Sequence, residues 1–296
     1  MVIIFIVVFA LASIFVPQFL TVKNMSNLGL AVATVAMVSC TMLFCLAAGD
    51  FDLSVGSNLA LGGMVAVLVS NMTGSLLYGI LAAVVIGSLV GLVNGVVIAK
   101  FGINALITTL ATMQIVRGAV NLLCGGQVKS PILPSFGALG EGQNPIWFAI
   151  ACFIIFGVLL NYTLFGRNTL AIGGNIDAAR LAGIKVVGTK IWIFVLSGAV
   201  AALAGVISAS RLVAASNAAG EKLELQAISA CVLGGVSLSG GVGSISGVAV
   251  GVLIMGIVEN VMRLLQVNTF WQMIVTGAIL LAAVLIDRFK TKNAKA

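Results

Sequence analysis

The sequence predicts an all-α polytopic membrane protein, and three observations carry that expectation. Of 296 residues, 61% are hydrophobic and only 8% are charged. A soluble domain carries about 25% charged residues, so this chain has too few to wet the surface of a globule. Its mean hydropathy is +1.23. The apolar residues gather into charge-free runs, several near the roughly 20 residues a helix needs to cross the hydrocarbon core. The ten-residue alternating segments of a transmembrane barrel do not occur.

The elements follow in order. Residues 1–16 run from Met1 straight into VIIFIVVFALASIFV, without a positive leader region or a small-residue cleavage site. They read as a retained first membrane helix, short for a full span, and the natural chain is expected to begin further upstream. Residues 28–48 carry no charge, and residues 53–99 carry none across 47 positions. The second run breaks at Ser70-Asn71-Met72-Thr73-Gly74-Ser75 and so holds two helices. Residues 103–123 are interrupted only by Arg117, and residues 146–160 and 191–210 follow. Residues 226–258 are again charge-free with a break at 237–246, and residues 273–286 come last. The total is about ten helices, some short or re-entrant, in one transmembrane domain over residues 1–296.

Charge sets the orientation. Residues 161–190 hold Arg167, Arg180, Lys185 and Lys190 against Asp177, and the tail 287–296 holds Arg288, Lys290, Lys292 and Lys295 against Asp287. Each segment is net +3, and together they supply six of the seven net positive charges. The positive-inside rule places both in the cytoplasm. Four expected spans separate them, an even number, and ten in all put both termini there. The pI of 9.4 is therefore a topology signal. No basic patch interleaved with aromatics marks a nucleic-acid partner; the partner surface is the lipid bilayer.

The absences narrow the chemistry. The chain has no histidine, which removes histidine-based triads and proton relays and most zinc sites. No phosphate loop of the GxxxxGK[ST] type occurs. The acids are dispersed, and Cys40, Cys45, Cys124, Cys152 and Cys231 lie singly in apolar runs as small hydrophobes. No catalytic residue, metal site or bound cofactor is expected. The chain reads as a conduit whose energy source lies elsewhere.

Four polar interruptions stand out. The first, Gly49-Asp50-Phe51-Asp52-Leu53-Ser54, sits between two charge-free helices. It reads as a turn with Asp52 or Ser54 capping the next helix, or as a broken helix beside a transport path. The second, residues 234–244, is a glycine- and serine-rich break, read as a packing turn; no lysine follows to make it a phosphate cradle. The two share an x-Leu-Ser core and suggest an inverted repeat of two five-helix halves. The third lies on the helix at 103–123. Gln114, Arg117 and Asn121 share one face, and Asn104 and Thr108 share another. Arg117 either snorkels to the outer interface or, with these neighbours, lines a path for a hydroxylated solute. Glu259 and Asn260 form a further polar pair late in a span. The fourth is in the cytoplasmic loop. Asn175 can cap a short helix over residues 175–182, with Asp177 early, Ala178 and Ala179 within, Arg180 late and Gly183 as its stop. Gly173 and Gly174 form a hinge before it. That order is more than a passive loop requires, and it reads as a docking helix.

At these residues the chain resembles the membrane-spanning subunits of bacterial ATP-binding-cassette (ABC) importers for monosaccharides of the ribose, xylose and arabinose type. The resemblance runs through Asp52-Leu53-Ser54-Val55-Gly56, then Phe165-Gly166-Arg167 to Ala171-Ile172-Gly173-Gly174-Asn175. It continues in Ala178-Ala179-Arg180-Leu181-Ala182-Gly183-Ile184 and Val232-Leu233-Gly234-Gly235-Val236-Ser237-Leu238. INALITTLATMQIVRG and SACVLGGVSL are especially similar to the arabinose branch. One departure is the missing cytoplasmic tail before the first helix. The resemblance implies a bacterial inner-membrane permease that acts as a homodimer. A periplasmic sugar-binding protein would load it, and two cytoplasmic ATPase subunits using ATP and Mg would drive it. It also implies that residues 173–184 occupy the place of the coupling helix. Two other readings stay open on the residues alone. One is an ion-coupled secondary sugar transporter, for which only Asp50, Asp52 and Glu259 could serve as ion sites. The other is a membrane scaffold.

Overall fold

A computed structural model of the chain describes the backbone of residues 1–295 and the side chains of residues 1–285. The basic tail expected at 287–296 therefore lies outside the residues with described side chains. Among the described residues there is no strand, only an isolated bridge between Lys129 and Ala215. Ten helices among the described residues are apolar. Seven are long enough to span: α2 (Val22–Ala47), α3 (Val55–Thr73), α4 (Leu76–Ala99), α5 (Ala105–Cys124), α6 (Asn144–Tyr162), α9 (Val186–Leu212) and α11 (Ile245–Leu264). Three apolar helices are shorter: α1 (Val2–Phe15), α10 (Leu223–Leu233) and the apolar part of α12 (Thr269–Lys295). Two small helices, α7 (Leu164–Gly174) and α8 (Ile176–Leu181), fill the polar loop, and a 3-10 turn (Pro134–Gly140) lies between α5 and α6.

The break expected at 70–75 is present as Gly74, in the left-handed conformation between α3 and α4. The break expected at 237–246 occupies 234–244, between α10 and α11. The two polar breaks expected to mark an inverted repeat stand differently in the helix order: 49–54 follows the second apolar helix of the first five, and 234–244 follows the third of the second five.

The centre of the fold is α3, α4 and α9. Along α4, Gly79, Ala83, Gly87, Gly91 and Gly95 recur every fourth residue and form one bare ridge. A Cβ on Gly87 would stand 2.5 Å from the Gly198 oxygen, and one on Gly95 would stand 2.8 Å from the Ile191 Cα. The pairing runs from Gly87–Gly198 through Gly91–Phe194 to Gly95–Ile191, so α4 and α9 are antiparallel in backbone contact. Asn58 of α3 completes the seam by donating to the Gly87 oxygen (3.3 Å) and the Gly198 oxygen (3.1 Å). Between helices in lipid, packing of this kind replaces the hydrophobic drive that water would supply.

Candidate coupling face and transport path

A short helix does form where a docking helix was expected, at 175–182: it is α8. The Asn175 backbone is extended, and its Oδ1 accepts from the amides of Asp177 (3.0 Å) and Ala178 (2.9 Å), which satisfies two donors that a helix start leaves open. Gly183 stops the turn at φ +79°, a conformation that favours glycine, and the Ile184 amide reaches back to the Ala179 oxygen at 3.0 Å. Ala179 is buried with Ile172 and Val186 in a small apolar cluster flanked by Ile176 and Ile184. The opposite face carries Asp177 and Arg180, paired at 3.3 Å in solvent, and Leu181, which is 91% exposed. An exposed pair of this kind adds little stability. Leu181 was not singled out from sequence; the visible signal was a large apolar residue beside the charges of a capped polar turn.

Gly173 and Gly174, expected as a hinge, immediately precede the Asn175 cap. They end α7, which the sequence did not reveal as a helix, and Gly173 is wedged between two backbones. A Cβ there would collide with the Ala47 carbonyl oxygen and stand 2.5 Å from the Gly241 nitrogen. The Gly241 amide itself donates to that Ala47 oxygen at 2.9 Å. The end of α2, the end of α7 and the 234–244 loop thus meet at one point, and both polar breaks lie against the docking segment.

Asp50 lies beside that junction, 2.8 Å from Lys190 in the first turns of α9, with both side chains largely buried. Burial pushes the Asp50 carboxyl above the usual carboxylate range, and Lys190 pulls it back only in part. A cavity of about 620 Å³ joins Asp50, Lys190, Asn104, Ile176 and Arg180. Asn104 caps α5 by accepting from the Leu106 amide (2.9 Å), and the Thr108 hydroxyl donates to the Asn104 carbonyl (3.0 Å). Asn104 therefore stands at the docking end of α5, and the Thr108 hydroxyl serves its own helix.

Asp52 is enclosed. Its Oδ1 accepts from the Ser54 amide (3.0 Å) and hydroxyl (2.6 Å), and its Oδ2 accepts from the Ser197 hydroxyl (2.7 Å). Ser54 sits at the N-cap position of α3 without a side-chain cap bond, because its hydroxyl is turned to Asp52. Asn94 donates to that hydroxyl (3.0 Å) and accepts from Thr112 (2.6 Å). The chain Thr112–Asn94–Ser54–Asp52–Ser197 ties α5, α4, the first break and α9 together. Asn94, Thr112 and Ser197 were absent from the sequence-based candidates; Asn94 and Ser197 are each a lone polar residue in an apolar run, and Thr112 lies off both polar faces read on its helix.

A second polar tract lies toward the other end of α5. Arg117 donates to the carbonyls of Asn217 and Ala219 (the latter at 2.9 Å), so it neither snorkels nor stands free. Asn217 donates to Asn121 Oδ1 at 2.7 Å, and Gln114 is exposed on the same side of α5. The loop at 213–222 dips inward. Ala215 pairs with Lys129, beside Ser130, which bonds Asn71 near the end of α3. Gly220 already packs against Gly56 in the first turn of α3. The helix α10 thus starts inside the fold and spans only eleven residues. Sequence reading began this segment at Gln226 and passed over Asn217, Gly220, Glu221 and Lys222 as an ordinary loop. Glu259 and Asn260 point apart. Gln226 donates to Glu259 Oε1 at 2.9 Å, whereas Asn260 and Asn24 exchange two amide hydrogen bonds of 2.9 Å.

Comparison with known proteins gives a consistent picture. Residues 24–284 match the family described as branched-chain amino acid transport system / permease component. The L-arabinose transport system permease protein AraH of Escherichia coli is 58% identical over 99% of this chain and 90% of its own length. The L-arabinose ABC transporter permease protein AraH of Azospirillum brasilense is 48% identical over 100% of this chain and 88% of its own. The ribose import permease protein RbsC of Bacillus subtilis is 43% identical over 95% and 89%. No solved structure matches.

Proposed function

The chain belongs to this family of transport permease components, and we propose that it is the membrane-spanning subunit of an ATP-driven L-arabinose importer. The observation that carries the reading is near-full-length similarity at 58% identity to an arabinose permease, against 43% to a ribose permease. The family description speaks of branched-chain amino acids; the sugar reading rests on the individual relatives, which match over nearly the whole chain. With no phosphate loop in the chain, ATP and Mg act in separate ATPase subunits. The helix α8 docks on one of them through Asp177, Arg180 and Leu181, and a periplasmic binding protein delivers the sugar to a homodimer in the bacterial inner membrane. Docking at α8 and the charge of the basic tail support a cytoplasmic reading of the termini and the 161–190 loop.

The test is reconstitution with the cognate ATPase and binding protein, followed by uptake of a panel of pentoses and hexoses. L-arabinose should be imported only with ATP and should persist when ion gradients are collapsed. Arg180→Glu should abolish uptake while the permease still inserts and folds. Gradient-driven uptake without ATP, or normal uptake by Arg180→Glu, would contradict the reading.

A further inference from the structure

The cavity between α10, α11 and α12 has a composition that lipid does not explain. Its volume is about 350 Å³, within the range of roughly 300–1,000 Å³ usual for small-molecule sites. Gln226 and Ser229 line it from α10, Glu259 from α11, and Gln272 and Thr276 from α12. Polar side chains at membrane depth are costly and face a bundle interior or a water-filled path. The short helix α10 begins inside the fold, which is where discontinuous helices place substrate sites in transporters. The loop that feeds α10 joins the cavity to the polar face of α5: Asn217 bonds Asn121, and Lys222 Nζ reaches Met273 Sδ at 3.5 Å.

Hydrogen bonding within the cavity leaves capacity for a guest. Gln226 uses one N–H on Glu259 (2.9 Å), and Gln272 uses one on the Val267 oxygen (2.8 Å). Each amide keeps a second N–H and an oxygen. An amide that both donates and accepts, beside a carboxylate that accepts, suits neighbouring hydroxyls, each of which is a donor and an acceptor. The other polar side chains are already directed at their own helices, Ser229 to the Leu225 oxygen (2.7 Å) and Thr276 to the Gln272 oxygen (2.9 Å).

From this arrangement we propose that the α10–α11–α12 cavity is a transit site for a monosaccharide, in which Gln226 and Gln272 read sugar hydroxyls and Glu259 orients Gln226. The proposal rests on the sugar-permease reading above and adds a site within it. The site lies off the docking face, so its alteration should change which sugar passes without changing the ATPase contact.

The test uses the complete transporter in proteoliposomes, with the binding protein saturated first by L-arabinose and then by its monodeoxy analogues. Gln226→Leu and Gln272→Leu should each lower sugar moved per ATP hydrolysed by on the order of tenfold, the worth of one or two hydrogen bonds. Each should also lose the wild-type preference for arabinose over one deoxy analogue. Stimulation of ATP hydrolysis by the binding protein should be unchanged. Thermal unfolding of both variants in detergent, followed by a thiol-reactive dye on the buried cysteines, guards against packing damage by leucine and should match wild type. Wild-type sugar-per-ATP and wild-type analogue preference in both glutamine variants would overturn the site while the parent reading stood. So would a loss of transport that tracks a loss of thermal stability. A wild-type transporter that moves no pentose would overturn both.

Discussion

Replacing Lys190 with methionine should expose what the first break depends on. The side chains of Asp50 and Lys190 are about one-tenth exposed and lie 2.8 Å apart. Removing one partner of a buried ion pair typically costs about 3–5 kcal/mol, whereas removing both together is often close to neutral. Lys190→Met strands the Asp50 carboxylate, and Asp50→Asn strands the ammonium. The double variant strands neither and should recover most of either loss. The pH dependence fixes the sign. Burial already holds the folded Asp50 carboxyl above its ordinary range, and Lys190 is the charge that pulls it down. Without Lys190 the folded value climbs further. The penalty is then full above that value and shrinks as pH falls from it toward the lower value of the unfolded chain, below which it is gone. Destabilisation of Lys190→Met should therefore be largest at alkaline pH and shrink on acidification, while the double variant shows no such trend. The five free cysteines are all buried, so a thiol-reactive dye followed during heating in detergent reports unfolding directly. A double variant that loses as much as the two single variants combined, or a Lys190→Met penalty that grows on acidification, would refute the ion-pair account.

Two further outcomes follow from the packing. Asn24→Ala should cost about 1–3 kcal/mol by leaving the buried Asn260 amide unpaired, and a double leucine variant should regain part of it in the same unfolding assay. Gly173→Ala forces a methyl into the junction of Ala47 and Gly241 and should cost about 1–3 kcal/mol with loss of coupled uptake. Gly174→Ala, which meets nothing within 4 Å, should behave as wild type in both assays.

Much of the helix inventory was legible because charge-free runs of membrane length leave few alternatives. The helix α8 was legible because Asn175, Asp177, Arg180 and Gly183 each occupy the position that local backbone chemistry demands. The helix α7 was not, since its glycines at 166, 173 and 174 are poor helix formers, and at 166 and 173 they are tolerated because neighbouring backbones need the space. The every-fourth small residue of α4 was readable as a close-packing ridge, but its partner was not, because nothing in the spacing names α9. The buried chain through Asp52 was half legible. The carboxylate itself was conspicuous, but its partners Asn94 and Ser197 come from helices 40 or more residues away, and only the fold brings them together. The inward loop at 213–222 was missed for a related reason: ten residues with two charges look the same whether they lie in water or line a polar tract.

The geometry also bears on how a six-residue helix could transmit force. A helix as short as α8 has no stability of its own; it is held by Ile172, Ala179 and Val186, which belong to α7, α8 and α9 in turn. A partner seated on Asp177, Arg180 and Leu181 would therefore act on α7 and α9 as well as on the loop. From α7 the next contact is Gly173 against Ala47 and Gly241, backbone to backbone, with no side chain whose rotation could absorb the movement. From α9 the next contact is the glycine ridge of α4, equally bare. Close-packed interiors transmit strain. The unpadded junctions thus lead displacement to the α2–α3 and α10–α11 breaks, and α10 carries Gln226 and Ser229 into the polar cavity. The same glycines that make these helices sensitive to a single added methyl group are what would let a surface turn reach the transport path.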